Sequence, residues 1–293
     1  MSMEDKPYAL QTMSPQSSPI AFFGSTGGCT NACLTHALKA GYIARSLART
    51  PQKLTTLLLA QGLDQATLDK HLTIIQGDVT KVEDVKRTLR GPNGDDAPAA
   101  TIISGIGAKP RFQAKFCAPL VMDNPNICEQ GTNALIAAVR DLQQASFPDY
   151  LPVVAVVSTT GITTLGSPED VPFGLRSLYH IVLATPHEDK RKMEAALFAA
   201  TDGTQAPPPQ QQQHDVKSTG PRFRGVVAVK PSLLMGDGKI SSGKGWKNLR
   251  VGTEREPAMG YTIQRADVGE WIFEEVVRNG GEKWINERVS VTA

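Results

Sequence analysis

Short apolar runs, each stopped by Gly, Ser, Thr or Asp, punctuate the chain. Ile20 to Phe23 gives way to Gly24. Leu72 to Ile75 ends in Gln76-Gly77-Asp78, Thr101 to Ile103 in Ser104-Gly105-Ile106-Gly107, and Val153 to Val157 in Ser158-Thr159-Thr160-Gly161. Apolar runs without polar alternation predict strands covered on both faces, as in a parallel sheet. Tyr42 to Ala48 and Gly225 to Lys230 read as two further strands. Between the strands, Asn31 to Ala40 predicts a helix closed by Gly41, and Val82 to Leu89, Cys128 to Gln144 and Asp267 to Arg278 predict others. Strands alternating with helices imply right-handed crossovers and a doubly wound α/β fold. The carboxyl edge of such a sheet, here lined by small polar residues, is where ligands sit.

The ends of the chain and one internal stretch break this rhythm. Residues 1–18 are polar and include acidic residues, so they predict a loose tail of a cytoplasmic protein rather than a secretory or transit signal. Residues 19–293 are read as one nucleotide-binding domain with a small C-terminal substrate lobe, drawn from about 162–185 and 232–262. Residues 202–221 are rich in Pro and Gln and predict a surface loop, in which His214 is solvated. The 293 residues are 40% hydrophobic and 20% charged, which is ordinary globular composition. With 31 basic and 29 acidic residues, the net charge of +2 lacks the basic excess of a nucleic-acid binder. No apolar run approaches the roughly 20 residues that span a bilayer. Cys29, Cys33, Cys117 and Cys128 have no zinc or redox spacing, and His36 and His71 have no metal-partner spacing. No metal site is expected.

Gly24-Ser25-Thr26-Gly27-Gly28-Cys29-Thr30 carries the strongest chemistry. It follows a strand and opens a helix, so Gly24 permits the turn, Gly27 admits a pyrophosphate, and the helix start offers free N–H groups. The third glycine position holds Thr30, whose side chain would push the helix outward or reach a phosphate. At the end of the second strand, NAD-binding sheets usually place an acid that accepts the ribose hydroxyls. Here Arg49 and Lys53 stand there instead, and a guanidinium pairs with a 2′-phosphate. NADP(H) is therefore the expected cofactor.

Together with Gly77-Asp78-Val79 and Ser104-Gly105-Ile106-Gly107, these features resemble the atypical short-chain dehydrogenase/reductases. Within them the chain is most similar to the NAD(P)H-binding group of biliverdin reductase B-like, NmrA-like and isoflavone reductase-like proteins. Pro186 to Glu194, Lys230-Pro231-Ser232 and Arg265-Ala266-Asp267-Val268 add to the resemblance, which spans roughly residues 19 to 280 and fails at the glutamine-rich stretch. It implies a Rossmann-like, NADPH-binding fold. It also implies that Asp78, followed by Val79, lies near the adenine and that Ser104, Gly105, Ile106 and Gly107 line the cofactor ribose. Lys190 falls near the group's cofactor-contacting or catalytic lysine.

The usual Tyr and Lys four positions apart are absent. Tyr8, Tyr42, Tyr150, Tyr179 and Tyr261 are followed at that spacing by Thr12, Ser46, Val154, Leu183 and Arg265. Thr185-Pro186-His187-Glu188 reads as a capping box opening a helix to about Ala200. On it Lys190 shares the buried stripe of Met193 and Leu197, near a helix end whose dipole disfavours a cation, so it needs an anionic or hydroxylated partner. Ser158 is the expected orienting hydroxyl for a carbonyl. Tyr179 is a candidate proton donor, and His187 a weaker one. Lys109 and Arg111 could meet an anionic substrate. Phe112, Phe116, Phe173, Leu175 and Trp246 suit a flat aromatic ligand. The reading is an NADPH-dependent reductase acting on a small carbonyl, quinone or flavin-like acceptor. The alternative is a non-catalytic NADP sensor of the NmrA-like type, which would bind a protein partner.

Overall fold

The computed structural model describes residues 18–93, 97–108, 110–112, 120–176, 179, 184–201 and 220–293. In chain order the regular elements are β1 (Ile20–Phe23), α1 (Gly28–Lys39), β2 (Ala44–Ala48), α2 (Pro51–Ala60), α3 (Gln65–His71), β3 (Leu72–Gln76) and α4 (Val82–Arg90). Then come β4 (Thr101–Ser104), β5 (Pro110–Phe112), β6 (Leu120–Met122), α5 (Ile127–Ala145), β7 (Val153–Val157) and α6 (Ala184–Thr201). The chain closes with β8 (Gly225–Pro231), β9 (Leu233–Met235), β10 (Arg250–Gly252), β11 (Thr262–Gln264), α7 (Arg265–Ile272) and β12 (Glu287–Thr292).

Eight strands form one sheet in the order β10-β12-β8-β7-β4-β1-β2-β3. Every neighbouring pair is parallel except β10 with β12. This is the expected Rossmann-like α/β fold. The chain moves outward from β1 to β2 and β3, then returns to place β4 on the other side of β1. That reversal opens the crevice in which such sheets bind ligands.

The apolar runs are buried because helices cover both faces. Val153, Ala155 and Val157 face a core shared with Leu34, Leu58 and Trp271, while Val154 and Val156 face one shared with Leu135, Met193 and Leu197. The period-2 side-chain alternation of a strand thus feeds two cores from one run. Helices α1 and α7 approach closely at Gly269, where a Cβ would lie 2.4 Å from the Cys29 carbonyl oxygen and 2.5 Å from the Ala32 Cβ. Two small parallel or antiparallel pairs, β9 with β11 and β5 with β6, lie outside the main sheet.

Helix α1 begins at Gly28, three residues before the expected Asn31, and β2 at Ala44 rather than Tyr42; two helices differ more. Helix α6 already includes Ala184, so Thr185 is not its N-cap. Pro186 is tolerated because first-turn N–H groups lack intrahelical partners anyway. The helix expected from Asp267 to Arg278 is α7 running directly into a π-helical turn, Phe273–Arg278, which buries Phe273, Val276 and Val277. The tail, Lys109, Phe116, Cys117, His214 and most of the glutamine-rich stretch lie outside the described residues. So do the side chains of Arg111 and Phe112.

Candidate active site

The loops after β1 and β4 meet backbone to backbone at the reversal. Gly24 has φ +77°, and a Cβ there would sit 2.7 Å from the Gly105 carbonyl oxygen. Both demands exclude any residue but glycine. The turn is closed by the Gly27 N–H donating to the Gly24 carbonyl at 2.8 Å. Ser25 is buried and bonds the Ser46 hydroxyl at 2.7 Å, which ties the turn to β2, while Asn31 donates to the Ser25 carbonyl at 2.9 Å. Thr26 and Gly27 are exposed.

Thr30 resolves differently from either sequence expectation. It is buried, and its Oγ1 lies 1.9 Å from where a Cβ on Gly105 would be. The space usually supplied by a third glycine comes from Gly105 across the crevice, and the hydroxyl points inward.

Helix α1 starts without a side-chain cap and without an acid in its first turn. Uncapped first-turn N–H groups and the positive end of the dipole form an anion cradle. Burial pushes the Cys29 thiol up to about 12, against the pull of Arg265 and Lys190, so Cys29 stays a neutral packing residue. Cys33 and Cys128 are likewise free and buried.

At the far end of the crevice, Arg49 and Lys53 are exposed, and α2 begins at Pro51 without a side-chain cap or first-turn acid. Asp78 lies close to Arg49. Its carboxylate accepts from the Thr80 N–H at 2.9 Å and the Thr80 hydroxyl at 2.8 Å. The Thr80 N–H, then its hydroxyl and Arg49, hold the carboxyl below the usual range against a burial effect that raises it. Val79 and Ile106 pack together over Gly131, and Ser104 is buried below them. The Gly105 N–H donates to the Phe23 carbonyl at 2.9 Å, and the Ile106 carbonyl accepts the Cys128 thiol. Gly107 has open space around it. The sequence-predicted cofactor residues therefore line one edge of the sheet.

The ends of β7 and β8 carry charge instead. Lys190 reaches over the sheet edge and donates to the Val157 carbonyl at 2.6 Å, close enough to act electrostatically on Cys29 and Cys128. Ser158 is buried and donates its hydroxyl to Glu194 on α6. The proton assigned from sequence to an acceptor carbonyl is thus directed at a carboxylate. Glu194 also accepts from Arg288 Nε at 2.9 Å, and Arg288 reaches Glu254 at 3.3 Å. Beside this chain, buried Lys230 pairs with buried Asp170 at 2.6 Å, and Asp170 accepts the Gly161 N–H at 2.7 Å. Tyr179 is buried against His187, their rings 5.5 Å apart. Burial raises the Tyr179 phenol, the Thr160 hydroxyl pulls it back, and the charge of Asp170 adds to the rise, so it stays protonated at neutral pH. His187 thus packs on Tyr179.

Glu194, Arg288, Asp170 and Lys230 escaped sequence reasoning as a group. One signal was present: Glu194 lies four residues after Lys190, on the stripe that Met193 and Leu197 bury. Asp189 was also missed. Its carboxylate accepts the Cys128 and Glu129 N–H groups, both at 2.9 Å, and so caps α5 from α6. Among the described residues, no group of three or more His, Cys, Asp or Glu is placed to hold a metal ion. No helix there is long and apolar enough to cross a membrane.

No family model matches the chain. It is 44% identical over 295 residues to the oxidase pynE of Aspergillus niger, covering 93% of this chain and 98% of the relative. It is 38% identical over 281 residues to the reductase pytE of Aspergillus terreus, covering 96% and 100%. Among solved structures, a wide-type short-chain dehydrogenase/reductase of Veillonella parvula, determined in complex with NADP, superposes with a TM-score of 0.59. Its identity is 12%, and the match covers 94% of each chain. The fold, the glycine turn at the strand reversal and the two Aspergillus relatives agree. The chain belongs to the oxidoreductase family of pynE and pytE, built on the short-chain dehydrogenase/reductase-like Rossmann fold.

Proposed function

We propose that the protein is an NADPH-dependent reductase of a small organic acceptor. The observation that carries this reading is the uncapped start of α1, set beside Gly24 and Gly105 at the strand reversal. Its N–H groups suit a diphosphate, and exposed Arg49 with the α2 N-terminus suits a 2′-phosphate. The residues present fit the dinucleotide. When bound, that cofactor supplies the hydride.

The chain's own residues position and protonate. Lys190, half-buried and held on the Val157 carbonyl, presents its remaining N–H donors to the nicotinamide ribose. Tyr179, protonated at neutral pH, is the proton source for the reduced acceptor. Ser158 acts through Glu194, fixing the end of β7 against α6. Carbonyl, quinone and flavin-like compounds all accept hydride, and they form the acceptor class. The test is NADPH oxidation followed at 340 nm with a panel of quinones, flavins and aromatic ketones, beside calorimetry of NADPH binding. Turnover with any class, lost in Lys190→Met, supports the reductase. Tight binding with no turnover on the whole panel overturns it in favour of an NADP sensor.

A further inference from the structure

Arg265 has no role in the reading above. It is the first residue of α7, and its side chain crosses to the start of α1. A Cβ on Gly28 would lie 2.5 Å from Arg265 Cδ and 3.2 Å from its Cβ. The stem therefore lies on the first residue of the cradle helix, in the space that glycine leaves. The guanidinium donates to the Gly236 carbonyl at 2.5 Å, and its charge leads Lys190 in pulling down the Cys29 thiol. Among the described residues, neither Arg265 nor Lys190 forms an ion pair with a carboxylate.

This placement runs against ordinary electrostatics. A cation in the first turn of a helix opposes the macrodipole. Here the side chain lies on the start of α1, where its charge and that of Lys190 both act on Cys29, while its own helix has Asp267 in the first turn. A guanidinium has five donors, and one carbonyl leaves most of them available. A single two-oxygen anion would collect the rest in a fork.

We infer that Arg265 is a direct ligand of the cofactor diphosphate, gripping it from the C-terminal half while the α1 N–H groups hold it from the N-terminal half. The inference rests on the dinucleotide reading above and extends it to a residue 237 positions after Gly28. The segment that Arg265 holds is itself fastened to the cradle. Gly238 abuts Gly28, and Gln61 bonds the Gly238 carbonyl and the Ile240 N–H, both at 2.9 Å. Cofactor affinity therefore depends on this C-terminal segment being in place.

The test is calorimetric titration of wild type, Arg265→Gln and Arg265→Lys with NADPH and with 2′-AMP, at low and high salt. 2′-AMP carries the 2′-phosphate but no diphosphate. Arg265→Gln is expected to weaken NADPH by about ten- to a hundredfold, the range of charge-assisted hydrogen bonds. The loss should shrink at high salt through screening. Arg265→Lys should recover part of it, and 2′-AMP should bind all three proteins alike. Wild-type NADPH affinity in Arg265→Gln overturns the inference and leaves Arg265 as a tether for Gly236. Equal losses for NADPH and 2′-AMP overturn it too. If Arg265→Gln does not fold, Arg265→Lys decides alone: selective weakening of NADPH supports the inference and unchanged affinity overturns it. A wild type that binds neither ligand overturns the dinucleotide reading itself, which is a different result.

Discussion

The two ends of the sheet's carboxyl edge are built on opposite principles. Around β1 and β4 the working parts are backbone and missing side chains: Gly24 against Gly105, Gly105 against Thr30, and an uncapped helix start. Around β7 and β8 the working parts are buried charges that satisfy one another: Lys230 with Asp170, and Ser158, Glu194, Arg288 and Glu254 in series. The first region leaves donors unsatisfied so that a ligand can complete them. In the second, these charged groups find their partners within the chain. A cradle assembled from N–H groups serves any chain that needs a diphosphate, whereas an internally matched charge cluster fixes one geometry of the strand ends.

Substitutions should separate the two regions sharply. Lys230→Met leaves Asp170 buried without its cation and should cost about 3–5 kcal/mol of folding stability. In the double variant Lys230→Met/Asp170→Leu most of that loss should return. Denaturant unfolding checks both, and an equal loss in single and double variants would show that volume, not charge, matters there. Gly105→Ala drives a methyl into Thr30 and the cost is about 1–3 kcal/mol. Thr30→Ala should relieve it, giving a coupling of about 1 kcal/mol or more in a double-mutant cycle. Strict additivity would mean that the two loops do not share the space. Arg49→Asp should leave stability nearly unchanged and weaken NADPH about tenfold or more relative to NADH, since a carboxylate would repel the 2′-phosphate. Parallel losses for both dinucleotides in fluorescence titrations would remove the 2′-phosphate from Arg49.

The smallest effect concerns acid. Thr80 holds the folded Asp78 carboxyl below its unfolded value of about 3.9. Such a group contributes stability above the unfolded value, and the contribution disappears as pH falls through the lowered folded one. The stability advantage of wild type over Asp78→Asn should therefore be constant above about pH 5 and shrink below about pH 4. A gap that persists at pH 2 would mean that shape rather than charge holds the Asp78 turn.

The same contrast explains what could be read in advance. Val153 to Val157 is legible to the residue because five apolar positions in a row suit only a strand covered twice. The cradle is legible because its signal is local: strand, glycine turn and helix lie within 20 residues. Helix α2 is less legible because the basic Arg49 and Lys53 dominate its start, although Thr50-Pro51 is a common helix opening. The charge cluster escaped because its members lie far apart in sequence. Ser158 and Glu194 are 36 positions apart, and Glu194 and Arg288 are 94 apart. A glutamate inside a helix reads as solvent-facing unless its distant arginine is known. Helix α6 shows the result: its buried His187, Asp189 and Glu194 blur the apolar stripe that would otherwise give the face away.

The contact of α1 with α7 at Gly269 also has a bearing on biosynthesis. The helix proposed to cradle phosphate is synthesised some 240 residues before the helix that buttresses it. A half-made polypeptide therefore has the glycine turn but not its support, and the interlock closes only over a separation of some 240 residues. Such distant pairing is slow to form. Coenzyme capture would then require both helices, and a chain that stops between them would meet quality-control proteases without that protection.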